Sequence, residues 1–151
     1  MPKHETYSSV LGFDFGKTHI GVATGQTLTG TAAGLTIIRA KNGTPNWDQV
    51  GVLMQQWQPD LIIVGLPLNM DDSESILSNS ARRFARKLQG RFGIHARMVD
   101  ERLTSREAKM ASHNSDHRTT KKVDHIAAAL ILQSWLDNPA LGLDPVLESS
   151  L

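Results

Sequence analysis

Asp14 is the first residue that asks for a chemical explanation. It sits in an otherwise apolar run, VLGFDFG over residues 10–16, between Phe13 and Phe15. A carboxylate there must be exposed on one sheet face, paired, or bound to a metal, because burying it alone is costly. Gly12 and Gly16 share its face of a strand and leave room for a ligand to approach the backbone. The plainer reading is a carboxylate on a solvated face, and Asp14 alone leaves both readings open. Glu101 follows a candidate strand at residues 96–100. Strand ends in α/β sheets collect sites, although an acid there also suits an ordinary turn. Asp124 falls in the first turns of the last candidate helix, where the helix dipole by itself favours an acid. Ala127, Ala128 and Ala129 follow it, and such small side chains let a helix sit close to a sheet and bring Asp124 towards Asp14.

Together the three acids make a sharper hypothesis. Hard divalent cations take carboxylate oxygens and retain waters. Two such ions about 4 Å apart activate a water and stabilise the leaving oxygen of a phosphodiester. The charge distribution suits that substrate. The net charge is only +1, but residues 82–122 hold 12 Lys/Arg against 4 Asp/Glu, a local balance of +8. A basic segment on a near-neutral chain is the footprint of a phosphate-rich partner, although a solvated helix face is the commoner cause of a charge run. Lys17, Arg102, Arg106, Lys121 and Lys122 are the candidate phosphate contacts.

Rival chemistries fail on specific residues. The chain has no cysteine, which excludes thiolate zinc sites, disulfides and cysteine nucleophiles. Gly16-Lys17-Thr18 resembles the end of a Walker A loop, but Leu11 stands where that loop needs its first glycine, and a strand follows instead of a helix. The same turn resembles the phosphate hairpin of actin-like and sugar-kinase ATPases, which clamp ATP between two domains; 151 residues supply one. The six histidines show no His-Glu-x-x-His pattern and read as surface residues, with His125 a candidate nucleic-acid contact. No apolar run approaches bilayer length, and MPKHETYSS has no signal-peptide core. A cytoplasmic chain with no membrane partner is expected.

The elements that position these residues follow from periodicity. Residues 10–16 and 19–24 alternate as strands joined by a tight turn at residues 16–18, and residues 31–40 form a third. With no helix between them, they suggest an antiparallel meander. Residues 41–46 (KNGTPN) are a turn cluster. Val50, Leu53, Met54 and Trp57 have the spacing of an amphipathic helix, which Pro59 stops. The continuous apolar run LIIVGL, residues 61–66, reads as a strand covered on both faces. Residues 67–75 are a loop, and Leu77, Ala81, Phe84 and Leu88 mark a second helix ended by Gly93. A capping box at residues 104–107 predicts a helix start. The last helix spans about residues 120–136. The result is a five-stranded mixed α/β sheet. The domain is expected over residues 9–138, with a flexible N-terminus at 1–8 and a loose tail at 139–151.

Four segments in order, GFDFGKTHIGVA at 12–23, DLIIVGLPLNMD at 60–71, DERLTS at 100–105 and KVDHIAA at 122–128, resemble the YqgF/RuvX family of bacterial ribonuclease H-like proteins. Its members are titled Holliday junction resolvases or pre-16S rRNA nucleases. The resemblance covers residues 9–137 and implies a ribonuclease H-like fold, with three antiparallel strands followed by two parallel ones, flanked by helices. It also implies hydrolysis of nucleic acid dependent on Mg²⁺ or Mn²⁺, with maturation of the 5′ end of 16S rRNA as the role. Carried over by position, Asp14, Glu101 and Asp124 are its catalytic, metal-holding acids. Asp72 departs from the pattern, because members usually have glycine there; His19 stands where Arg or Lys is common. The preferred reading is an endonuclease on structured RNA, acting as a monomer or weak homodimer in ribosome biogenesis. The alternatives are a DNA junction resolvase, and a nucleic-acid-binding assembly or transcription factor without catalysis.

Overall fold

The computed structural model describes residues 7–102 and 120–146; the side chains of residues 120–125 lie outside that description. The expected helix start at residues 104–107 falls outside it as well.

Strands β1 (Ser9–Asp14), β2 (His19–Gln26) and β3 (Thr31–Lys41) form the expected meander. The β1–β2 turn needs glycine at its first position. A Cβ on Gly16 would lie 2.4 Å from the carbonyl oxygen of His19. At the far end of β1, the Asp60 carboxylate accepts from the Ser8 and Ser9 amides at 2.9 and 3.0 Å and from the Ser8 hydroxyl at 2.7 Å. These bonds, the Ser8 hydroxyl foremost, hold its carboxyl below the ordinary range.

The turn cluster after β3 corrects the expected strand count. Asn42 and Gly43 take left-handed backbone angles (φ 53° and 82°), the Asn-Gly signature of a tight hairpin. The chain folds back so that β4, only Thr44–Pro45, pairs with Ala40 and Lys41. Among the described residues the sheet therefore has six strands rather than five. Periodicity cannot register a two-residue strand, and Pro45 is tolerated because β4 is an edge.

Asn46 caps helix α1 (Trp47–Trp57), its side chain accepting from the Asp48 and Gln49 amides. Strand β5 (Leu61–Leu66) is buried at all six positions. Helix α2 (Ile76–Phe92) begins at Ser75 in a capping box with Ser78 and ends at left-handed Gly93. Strand β6 (His95–Asp100) and helix α3 (Thr120–Asp137) complete the frame. The strand order is β4-β3-β2-β1-β5-β6, with β5 parallel to both β1 and β6.

The alternation of β1 divides the core between the two faces. Leu11, Phe13 and Phe15 pack with Val50, Leu53 and Phe84 under α1 and α2. Val10 packs with Leu61, Ile63, Ile131, Leu132 and Trp135 under α3. Gly12 permits the close approach of α3 expected from its alanines: a Cβ there would meet Leu132 Cβ at 2.8 Å and the Ala128 carbonyl oxygen at 3.4 Å.

The described residues after Asn138, up to 146, run back against the domain. Pro139–Leu141 form a 3-10 turn, and Leu143 exchanges two 2.8 Å backbone hydrogen bonds with Met98 on the edge strand β6. Arg82 and Arg86 hold the next carbonyls, of Asp144 and Pro145, at 2.9 and 3.2 Å. Covering an edge removes a template for unwanted pairing. Among the described residues no helix is long and apolar enough to cross a membrane.

Candidate active site

Asp14 is the last residue of β1 and lies on the α3 face, half-buried. Phe13 pairs with Val64 in the parallel register, so the next position of β5, Gly65, lies beside Asp14. Gly65 in turn pairs with Val99 of β6, two residues before Glu101. The Glu101 amide donates to the Leu66 carbonyl at 3.0 Å, which keeps the chain on the sheet just past β6.

The Glu101 side chain folds back across Gly65. A Cβ at Gly65 would meet Glu101 Oε1 at 2.8 Å and Ile131 Cδ1 at 2.6 Å. The missing side chain is thus the window through which Glu101 reaches Asp14. The two carboxyl groups share a hydrogen bond, and the Glu101 carboxyl is pushed up to about 9. Burial is the main cause, followed by the hydrogen bond and the charge of Asp14 and then the charge of Asp100. Burial and the neighbouring negative charges thus favour the protonated form of Glu101, whose O–H can donate to Asp14.

Helix α3 runs along β1 towards this pair. Leu136 and Leu132 sit over Gly25, which pairs with Val10, and Leu132 and the Ala128 carbonyl sit over Gly12. One further turn, about 5.4 Å, carries the backbone of residue 124 towards the Asp14 end. The side chains of Asp124, Lys121 and Lys122 lie outside the described residues, and so does the whole of Arg106. Among the described residues no three His, Asp or Glu side chains form a group that would hold a metal ion.

Lys17 is exposed in the β1–β2 turn, three residues past Asp14. Arg102 has a set of partners that sequence reasoning missed. Its guanidinium binds Asp100 through Nε (3.0 and 3.1 Å) and Nη2 (2.6 Å), and Asp72 through Nη2 at 2.7 Å. Nη1 donates to the Asn69 carbonyl at 2.9 Å. Arg102 therefore braces the β5–α2 loop against the end of β6, beside Glu101. Burial opposes the Asp100 charge, but the Arg102 hydrogen bonds outweigh it and hold that carboxyl below its usual value. Asp72 adopts φ 72°, a conformation that suits glycine, the usual residue of the resembled family at this position. Its carboxylate pairs with Arg102 at 2.7 Å.

The largest local balance of charge is divided by the fold. Arg82 is buried, bound to Glu74 at 3.0 and 3.1 Å and to the tail. Arg83, Lys87 and Arg91 stay exposed on α2. A cavity of about 310 Å³ lined by Tyr7, Leu61, Arg97 and Trp135 lies at the Leu61 end of β5, away from the acids at its Leu66 end.

The six-stranded mixed sheet with helices on both faces and acids at the adjoining ends of β1 and β6 is a ribonuclease H-like arrangement. Solved structures that share the fold include Thermus thermophilus RuvC in complex with a Holliday junction substrate, with TM-score 0.55 and 16% identity over 90% of this chain and 98% of that one. A complex of Fowlpox virus resolvase with substrate Holliday junction DNA also aligns, with TM-score 0.55 and 14% identity over 87% of this chain and 98% of that one. The chain belongs to the RuvX family, described as Holliday junction resolvase, which its residues 8–138 match. A relative from Glaesserella parasuis is 50% identical over 132 residues, 85% of this chain and 96% of its own length. One from Azotobacter vinelandii is 49% identical over 135 residues, 87% of this chain and 95% of its own. Both carry the name "Putative pre-16S rRNA nuclease". Family and relatives alike define a nuclease, a hydrolase of phosphodiester bonds.

Proposed function

We infer that this chain is a divalent-metal-dependent endonuclease that trims the 5′ end of precursor 16S rRNA in the bacterial cytoplasm. The observation that carries this reading is the Asp14–Glu101 pair, two carboxyl groups brought together through the Gly65 window and joined by a hydrogen bond. Such a pair fits a hard cation: its oxygens are the donors that Mg²⁺ or Mn²⁺ takes, and a cation displaces the proton. Asp14 and Glu101, with Asp124 from α3, would hold the metal. When bound, it would supply activation of water and charge stabilisation on the phosphodiester.

The chain's own residues set the conditions for that step. Asp14 and Glu101 are fixed by strand ends, so their oxygens are positioned before substrate arrives. Arg102 holds the neighbouring loop still. Lys17, exposed at the adjoining turn, and Lys121, Lys122 and Arg106 are proposed to contact phosphates. The relatives' names favour precursor rRNA, and the family description favours a DNA junction.

The test is a cleavage assay with Mg²⁺, with Mn²⁺ and with chelator, comparing a 5′-extended 16S rRNA precursor with a four-way DNA junction. Metal-dependent cutting of the rRNA, lost in Asp14→Asn, is the expected result. Preferential cutting of the junction would make the chain a resolvase. Binding without cutting by the unsubstituted protein would leave only a nucleic-acid-binding factor.

A further inference from the structure

Asp14 and Phe15 are neighbours whose side chains point to opposite faces of the sheet. Asp14 forms the acid pair with Glu101 on the α3 face, and Phe15 packs against Phe84 of α2. Behind Phe15 lies a cleft of about 80 Å³, lined by Asn42, Gly43 and Thr44 of the β3–β4 hairpin, by Trp47, and by Arg83 and Lys87 of α2. Phe84 forms its apolar floor, in ring contact with Phe15 at 5.2 Å and with Trp47 at 6.1 Å.

The cations around this cleft are not spent on internal structure. Arg82 and Arg86, on the side of α2 facing the tail, bind its carbonyls. Arg83 and Lys87 are one helical turn apart on the exposed side, and among the described residues neither has a carboxylate within ion-pair distance. Arg91, one turn further, lies over the Trp47 ring at 4.2 Å, which holds its charge at the end of the same row. The row is also joined to the acid pair by backbone. The Gly43 amide donates to the Lys17 carbonyl at 2.9 Å, and the Ala40 amide to the Thr18 carbonyl at 2.8 Å. The hairpin that forms one wall of the cleft is therefore fastened to the turn that begins beside Asp14.

We propose that this cleft is a second phosphate-binding site, in which Arg83 and Lys87 grip the backbone of the nucleic acid strand whose scissile bond lies at the acid pair. The strand passes around the end of the sheet, over the Lys17 turn, from the α3 face to the α2 face. The cleft is small and polar at its rim, so it takes a phosphate group rather than a base. Its contribution is to binding and to the direction of the strand, not to bond cleavage. The proposal rests on the nuclease reading and adds a surface on the opposite face of the sheet.

The experiment compares three proteins: the unsubstituted chain, the double variant Arg83→Gln/Lys87→Gln, and the double variant Gln55→Glu/Gln56→Glu. Both variants lower net charge by the same amount, but Gln55 and Gln56 are exposed on α1 and do not line the cleft. Affinity for a fluorescent 5′-extended rRNA fragment is measured across a salt series. Losing two phosphate contacts lowers the slope of log affinity against log salt by about 1.5. The cleft variant is expected to show that drop and about 10-fold weaker binding at low salt. The α1 variant is expected to keep the original slope. An unchanged slope in the cleft variant, or equal losses in both variants, overturns the proposal while leaving the nuclease reading in place. Failure of the unsubstituted chain to bind or cut nucleic acid overturns both.

Discussion

Asp14 and Glu101 form a unit whose protonation follows from their surroundings. The Glu101 carboxyl, raised to about 9 chiefly by burial, keeps a proton that the unfolded chain releases near its ordinary value of 4.5. Its contribution to stability is thus complete below about pH 4.5, declines as pH rises through the window, and is lost above about 9. Chemical denaturation in chelator at pH 5 to 9 is expected to show stability falling as pH rises. Glu101→Gln is expected to remove that slope, and an unchanged slope would contradict a protonated Glu101. Asp14→Asn keeps the side chain's shape and removes a half-buried charge, and its amide can still hydrogen-bond the protonated Glu101. The metal-free variant is expected to melt at the same temperature or higher, while cleavage falls by orders of magnitude and RNA binding persists. Unfolding of this variant would show that Asp14 is needed for the sheet itself.

The elements meet at glycines whose roles can be separated. At Gly65, the atoms a methyl would strike include the ends of flexible side chains, Glu101 Oε1 and Ile131 Cδ1. Gly65→Ala is therefore expected to fold, with the Glu101 carboxyl displaced and cleavage lost. At Gly12 the obstacles are Leu132 Cβ and the Ala128 carbonyl, which move only if α3 moves. Gly12→Ala is expected to cost about 1–3 kcal/mol, as overpacking does. Melting curves and cleavage rates of the two variants distinguish the roles: the first loses activity more than stability, the second both. The β5–α2 loop depends on Arg102 in a similar way. Arg102→Lys cannot reproduce the forked contacts to Asp100 and Asp72. Faster hydrogen exchange at the amides of residues 69–73 is the expected result; unchanged exchange would show that the loop's own hydrogen bonds suffice.

The whole molecule depends on a segment beyond the last helix. Leu143 pairs with Met98, and Arg82 and Arg86 hold Asp144 and Pro145. Truncation after Asn138 removes about four hydrogen bonds, a loss of about 2–6 kcal/mol at ordinary values, and uncovers the β6 edge. Lower denaturation midpoints and concentration-dependent light scattering are expected. A truncated chain as stable and monodisperse as the full one would make the tail dispensable.

Much of this molecule was legible from residue order alone. The meander, the buried strand β5 and the stripes of α1 and α2 follow from periodicities that any chain of this pattern must satisfy to bury its apolar faces. Asp14 declared itself because a carboxylate between two phenylalanines needs a compensating environment. The pairing of Glu101 with Asp14 was only a hypothesis, since 87 positions separate them and the register that aligns Gly65 between them exists only in the folded sheet. The sixth strand escaped because two residues carry no period. The basic segment was counted as one footprint, yet neighbouring residues on α2 point in different directions. Arg82 turns inward to Glu74 and the tail, and Arg83 turns outward beside the hairpin. Composition establishes how much charge a chain carries. Helix periodicity and the packing of distant segments decide which charges neutralise one another and which remain for a partner.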